Sequence, residues 1–215
     1  MTAPATKTSP WPISIGAEGI AAAQFARCGF DVLVQSGRDK PWYDFAVTRA
    51  GNLMKVSVKA SDDGRWNLPQ SFARRGPESG AKNIDCRTAI DFWMDCQGTK
   101  TICCLVQFDG VSINQLPRIY LAFPNEVAAE MRIASERTGQ CALHELYEWT
   151  SPEGKLEVGT LPAAWRFSAE RIQELIDRQN APMAIPKLPS RSISIAVAAP
   201  IPPQVVHPSK IALSA

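Results

Sequence analysis

The stretch from Trp42 to Ser61 constrains the fold most, because it has the pattern of two short strands joined by a tight turn. Tyr43 to Thr48 is rich in aromatic and β-branched side chains, which favours a strand. Leu53 to Ala60 alternates in side-chain character with a period of two, so one face should pack and the other should be polar. With a turn at Ala50-Gly51-Asn52, the stretch predicts a β-hairpin.

The polar face of this hairpin carries candidate functional groups. The second strand divides its side chains between two faces, with Lys55, Ser57 and Lys59 on the polar one and Met54, Val56 and Val58 on the apolar one. Asp44 lies near the start of the first strand, where it and Lys59 would supply a metal ligand and a positive charge at one spot. A half-exposed hairpin has the same alternation, so Asp44 and the lysines also fit a solvated surface.

A helix is predicted before the hairpin, over residues 14–28. Ser14 suits its N-cap, the body is rich in alanine, and Gly29 stands where a left-handed residue would end it. Glu18 lies in its first turn. An apolar strand, Phe30 to Val34, follows, so the order up to the hairpin is helix, strand, strand, strand.

Four runs of residues carry a resemblance to a known family: Gly-Ala-Glu at 16–18, Ala-Ala-Ala-Gln-Phe-Ala-Arg-Cys-Gly-Phe-Asp-Val at 21–32, Tyr-Asp-Phe at 43–45 and Lys-Val-Ser-Val-Lys-Ala-Ser at 55–61. Together they resemble the core of the PD-(D/E)XK nuclease superfamily. The likeness is strongest to the branch that includes Holliday-junction resolvases and intron-encoded endonucleases of this fold. It is sharpest over residues 15–61 and implies a restriction-endonuclease-like α/β fold with an αβββαβ core and a mixed central sheet flanked by helices.

The resemblance also implies an active site. The family's motif has a Glu on the first helix, an Asp at the start of the second strand, and an acidic residue or Gln two positions before a Lys on the third strand. In this sequence the matching positions are Glu18, Asp44, Ser57 and Lys59. Asp44 and Glu18 would hold Mg²⁺, or alternatively Mn²⁺, the Val58 backbone carbonyl would add an oxygen, and Lys59 would orient the water or stabilise charge. Ser57 departs from the motif, since a hydroxyl is a poor ligand for a hard divalent cation.

The activity implied is that of a metal-dependent endonuclease that hydrolyses DNA. The alternative is a nuclease-fold module with weakened or lost catalysis that binds DNA or a protein partner, and a purely structural role for the chain stays open as a third reading. Two cuts across a duplex generally need two active sites, so symmetry would favour a homodimer.

Residues 62–84 are predicted to form a long irregular segment, which in a compact domain is usually functional or disordered. The candidate DNA-binding residues in and near it are Lys55, Arg65, Trp66, Arg74 and Arg75. Arginines would follow a phosphate backbone and Trp66 would stack on a base. A solvated loop with incidental arginines fits the same composition.

The second half of the chain predicts a helix from Asp85 to about Gln97 and then a buried strand, Thr101 to Phe108, which completes the αβββαβ order. A C-terminal α+β elaboration follows. Its predicted elements are a strand at 118–123, a helix at 124–137, a hairpin from 143–149 and 156–158, and a last helix capped by Ser168. The acidic residues interpreted as solvated are Glu126, Glu130, Glu145 and Glu148. Two interpretations of His144 stay open: it acts as an acid or base, or, more simply, it has a structural role.

Length and composition suggest one domain, residues 13–178, between a flexible arm (1–12) and a disordered tail rich in Pro, Ser and Ala (179–215). A net charge of +2 means that any DNA-binding surface must come from local clustering. Six cysteines without a Cys-x-x-Cys pair argue against a zinc ribbon. Without a long apolar run or a signal-peptide pattern, we expect a soluble cytoplasmic protein and no membrane partner.

Overall fold

The structure, a computed structural model, describes residues 10–34, 43–73 and 85–181. The helices and strands within these ranges are α1 (Pro10–Arg27), β1 (Asp31–Val34), β2 (Phe45–Arg49), β3 (Asn52–Ser61), β4 (Arg65–Trp66), α2 (Gln70–Ala73), α3 (Cys86–Asp95), β5 (Thr101–Gln107), β6 (Arg118–Ala122), α4 (Pro124–Thr138), β7 (Leu143–His144), β8 (Leu146–Thr150), β9 (Leu156–Thr160) and α5 (Ala169–Asn180). A short 3₁₀ helix, Ala163–Trp165, precedes α5. The chain divides into a unit of residues 1–181 and a unit of residues 182–215, and every described residue belongs to the first.

The main sheet has the strand order β1-β2-β3-β5-β6. Its first three strands are antiparallel neighbours, β3 and β5 are parallel, and β5 and β6 are antiparallel. A parallel pair needs a long crossover connection, and here the connection contains α3. The predicted class, α/β with a mixed central sheet flanked by helices, is therefore confirmed.

Helices cover both faces of this sheet. On the first face, α1 and α5 pack against residues such as Val56, Val58 and Cys104. On the second face, α3 and α4 pack against residues such as Cys103 and Leu105. Because β5 is enclosed between the two layers, all seven of its residues are buried, as its continuous apolar sequence predicts.

The turn of the predicted hairpin depends on two residues with positive φ. Ala50 has φ 50° and Gly51 has φ 80°, and together they form the two-residue connection between β2 and β3. Such turns match the right-handed twist of the paired strands. The turn sets the register in which Phe45 faces Val56, and with it the neighbours of the candidate site.

Several predicted boundaries need correction. Helix α1 begins at Pro10, so residues 10–12 belong to the helix and not to an arm, whereas residues 1–9 lie outside the described residues. The segment predicted to be irregular contains β4 and α2. The predicted strand 143–149 is split, because β7 pairs with β4 while β8 forms the hairpin with β9. The proposed tail belongs to α5 up to Asn180, and residues 182–215 are not described.

Over the described ranges, the helices are all too short or too polar to cross a membrane.

Candidate active site

Asp44 is fixed against β3 by its backbone and by its side chain. Its N–H donates to the carbonyl of Val56 at 2.8 Å, and its Oδ2 accepts from the N–H of Val58 at 2.7 Å. The N–H and C=O of one strand residue project to the same side, so the carbonyl of Val58 also faces the side on which Asp44 lies. The structure thus brings together two of the three predicted metal ligands.

The remaining predicted residues are divided between the two faces of the sheet. Val56 and Val58 pack under α1, so the alternation of β3 places Ser57 and Lys59 on the opposite face. Ser57 is paired with Cys103, which belongs to the cluster under α3 and α4. Glu18 lies on α1, is half-buried and has an interaction partner. The sheet therefore separates the helix that carries Glu18 from the face that carries Lys59.

Two neighbouring thiols of β5, Cys103 and Cys104, are buried close to the candidate site. Burial raises the pKa of Cys103 to about 12, and the positive charge of Lys59 opposes this rise. Burial also raises the pKa of Cys104, on the α1 face, and the negative charge of Asp44 adds to this rise.

Mg²⁺ is commonly bound by one or two carboxylates and keeps several waters. Asp44 and the Val58 carbonyl fit a minimal site of this kind. Ser57 does not extend it, because the residue is 2% exposed and lies within the core. In the described ranges, no three or more His, Cys, Asp and Glu side chains form a group that could hold a metal ion.

Of the predicted DNA contacts, Lys55 and Arg65 are at the surface but engaged. The ammonium of Lys55 lies 5.3 Å from the centre of the Tyr43 ring, and Nε of Arg65 pairs with Asp63 at 2.9 Å. Such an exposed ion pair exchanges readily with solvent and leaves Arg65 available to a phosphate. Arg74 and Arg75 lie outside the described residues.

The prediction that Trp66 stacks on a base is wrong. Its side chain is 2% exposed and belongs to the core under α3 and α4. Its Nε1 donates to the carbonyl of Lys59 at 2.9 Å. A buried indole usually finds such a partner, and here the bond anchors β3 at Lys59.

Glu145, interpreted from the sequence as solvated, is instead part of a half-buried network. Its two carboxylate oxygens accept from Nε and Nη2 of Arg118 at 2.6 and 2.7 Å, and Oε1 also accepts from the hydroxyl of Tyr120 at 2.5 Å. Burial acts to raise the pKa of Glu145, but the hydrogen bonds from Arg118 and Tyr120 outweigh it, so the pKa is below its ordinary value. Burial and the bond to Glu145 raise the pKa of Tyr120 to about 12.

This network predicts a pH-dependent contribution to stability. A lowered carboxyl pKa means that the stabilisation is present above the ordinary pKa of 4.5 and is lost as the pH falls through the lowered value. Glu145→Gln should lower the free energy of unfolding by about 1.5–3 kcal/mol at pH 7, because bonds to a charged acceptor are lost. Urea denaturation between pH 7 and pH 3 should show this difference shrinking towards acid, and a constant difference would contradict the assignment.

The comparisons with known proteins give no family assignment. No protein-family model matches the chain, and no curated protein is significantly similar to it.

Proposed function

We propose that the protein is a metal-dependent endonuclease that hydrolyses DNA phosphodiester bonds. The observation that carries the proposal is the carboxylate of Asp44 on the Val58 N–H, one residue before Lys59 on the neighbouring strand. The helix, three strands, helix and strand that surround it, with β3 parallel to β5, agree in order with the PD-(D/E)XK core that the sequence resembles.

Each residue of the candidate site has a separate role in the proposed hydrolysis. Asp44 and the Val58 carbonyl would hold Mg²⁺, with Glu18 as a supporting carboxylate from α1. The metal ion would supply a Lewis acid for the phosphoryl oxygens and lower the pKa of a bound water. The Val58 N–H holds Asp44 in one orientation, and such fixed groups lose little reorganisation energy during reaction. Lys59 offers a compact positive charge to the phosphate.

A binding module without catalysis is the second candidate, and two observations favour it. Ser57, at the position where the family has an acidic residue or Gln, is buried under α3 and α4. Lys59 lies on the sheet face opposite α1. On this alternative, Asp44 is a structural cap for the Val58 N–H at the point where β2 begins.

Incubation with plasmid, linear duplex, single-stranded and branched DNA tests the two candidates. The endonuclease should cleave at least one substrate with Mg²⁺ or Mn²⁺ and stop in EDTA, because the nucleophilic water depends on the metal. Binding without cleavage, in EDTA and with affinity that falls steeply as salt rises, would favour the module. A result with neither DNA binding nor cleavage would contradict the endonuclease and leave the module only a protein partner.

A further inference from the structure

A cleft of about 510 Å³ lies at the end of α4, beside the β8–β9 hairpin. It is lined by Arg137, Thr138, Gln140, His144, Tyr147 and Trp149. Glu148 also borders it, but the alternation of β8 places this side chain on the face opposite Tyr147 and Trp149. The cleft belongs neither to the metal ligands nor to the Glu145 network. Its lining combines aromatic rings with a positive charge, a combination suited to flat, anionic ligands.

The rings of the cleft are arranged in a row. Tyr147 and Trp149 are two residues apart on β8 and so share one face of the strand. Their ring centres are 5.4 Å apart with an angle of 32° between the planes, and the His144 ring lies 6.0 Å from that of Tyr147. Both Tyr147 and Trp149 are half-exposed. The hairpin thus offers aromatic surface to a planar ligand.

Arg137 adds a charge that no ion pair neutralises among the residues the structure describes. Its guanidinium lies 4.2 Å from the centre of the Trp149 ring, and Nη1 donates to the hydroxyl of Tyr147 at 3.2 Å. Its charge acts on Glu130 of α4, opposing the rise that burial causes in the pKa of that carboxyl, but no described carboxylate forms an ion pair with Arg137. The guanidinium is therefore held in place by neutral groups, and its charge remains available to an anion such as phosphate.

Gly159 makes room for the Tyr147 ring. The two residues are opposite each other in the hairpin, and a Cβ atom at Gly159 would lie only 2.4 Å from a ring carbon of Tyr147. A side chain at this position would displace the ring. Glycine here therefore lets Tyr147 lie across the partner strand, next to Arg137 and Trp149.

His144 contributes its ring to the cleft lining, beside Tyr147. Its Nε2 is buried and has no hydrogen-bond partner among the described residues. Burial, together with the charge of Arg65 across the β4–β7 pair, lowers the pKa of His144, so the imidazole is neutral at neutral pH.

We propose that this cleft binds an unpaired DNA base on Tyr147 and Trp149, with Arg137 at an adjacent phosphate. The inference rests on the proposed function and names its substrate class: DNA with a single-stranded segment, such as a flap, fork or gap. Bases within a duplex are stacked on each other and cannot enter the cleft. Stacking on aromatic rings accepts every base, so the site selects DNA structure and not sequence.

Fluorescence anisotropy of labelled dT20 and of a 20-base-pair duplex, in EDTA with the full chain, tests this proposal. The wild type should bind dT20 more tightly than the duplex. Trp149→Ala should weaken dT20 binding about 5- to 100-fold, the range for loss of one stacked base, and leave duplex binding unchanged. Leu156→Ala is the matched control, because Leu156 is on the outer face of the same hairpin and is 63% exposed.

Two further variants separate stacking from damage to the hairpin. Arg137→Gln should weaken dT20 binding and reduce its salt dependence by about one phosphate contact. Gly159→Ala should weaken it by displacing Tyr147, while circular dichroism stays unchanged. Wild-type affinity for dT20 in Trp149→Ala and Arg137→Gln would overturn the proposal, as would equal binding of duplex by the wild type or tighter binding of rU20 than of dT20.

The same measurements distinguish failure of the cleft from failure of the endonuclease. Binding in EDTA needs no catalysis, so loss of dT20 binding in Trp149→Ala supports the cleft even if no metal ion supports cleavage. Conversely, metal-dependent cleavage by the wild type together with unchanged dT20 binding in Trp149→Ala would support the proposed endonuclease and contradict base binding in the cleft.

Discussion

Asp44→Asn is expected to lower metal-dependent DNA cleavage at least about a hundredfold while the fold is retained, in the range seen when one preorganised catalytic group is lost. Asn keeps an oxygen that can accept the 2.7 Å bond from the Val58 N–H, so this N–H stays paired beside the start of β2. It removes the negative charge that a hard divalent cation requires of its ligand. The initial rate of cleavage of the best substrate, over a range of Mg²⁺ concentrations, measures the effect.

The matched control for this variant is Asp95→Asn, the same change at an exposed residue at the end of α3. Lys59→Ala should also abolish cleavage, whereas Lys155→Ala, in the exposed turn before β9, should not. Thermal melting should be similar for Asp44→Asn and the wild type. Cleavage retained in both Asp44→Asn and Lys59→Ala would contradict the endonuclease and leave Asp44 as a structural cap.

Arg171→Ala is expected to lower the free energy of unfolding by about 2–4 kcal/mol, because buried ion pairs are costly to break from one side. Arg171 is 4% exposed, and its Nε donates to the carbonyl of Leu121 in β6 at 3.0 Å. Its two terminal nitrogens bind Glu126 and Glu174, each at 2.8 Å. The side chain thus connects α5, β6 and the first turn of α4, and alanine would leave the Leu121 carbonyl without this donor.

Arg178→Ala provides the comparison, since Arg178 binds the same Glu126 at 2.6 Å but is 42% exposed. Exposed ion pairs contribute little, so a loss below about 1 kcal/mol is expected. Urea denaturation of both variants at pH 7 measures the two effects. Equal losses would show that burial of Arg171 does not set the strength of this network.

The parts of the fold that the sequence predicts well are those set by local rules. The period-two pattern of β3 and the Ala50-Gly51 turn predict the hairpin, and the apolar run of β5 predicts a strand buried on both faces. Ser168 predicts the start of α5, where its hydroxyl accepts from the N–H of Arg171. In each case the determining partner is a few residues away along the chain.

The parts that could not be predicted depend on distant partners. Ser57 reads as part of an exposed polar face, but α3 and α4 bury it, and an alternating pattern does not say which side is solvent. Trp66 in a loop rich in arginine suggested stacking, and only tertiary packing buries it. Glu145 reads as solvated because nothing in its own segment indicates Arg118, 27 residues earlier, as its partner.

Chain connectivity gives the contacts on the two sides of β3 different loop-closure costs. The Asp44 to Val58 contact joins residues 14 apart across a two-residue turn, so forming it closes a short loop. The bond from Gln107 to Ser61, on the other side of β3, joins residues 46 apart and requires the whole crossover through α3 to be in place. Longer loops cost more entropy, and non-local strand pairs slow folding. The hairpin that holds Asp44 can therefore form during folding before β5 pairs with β3.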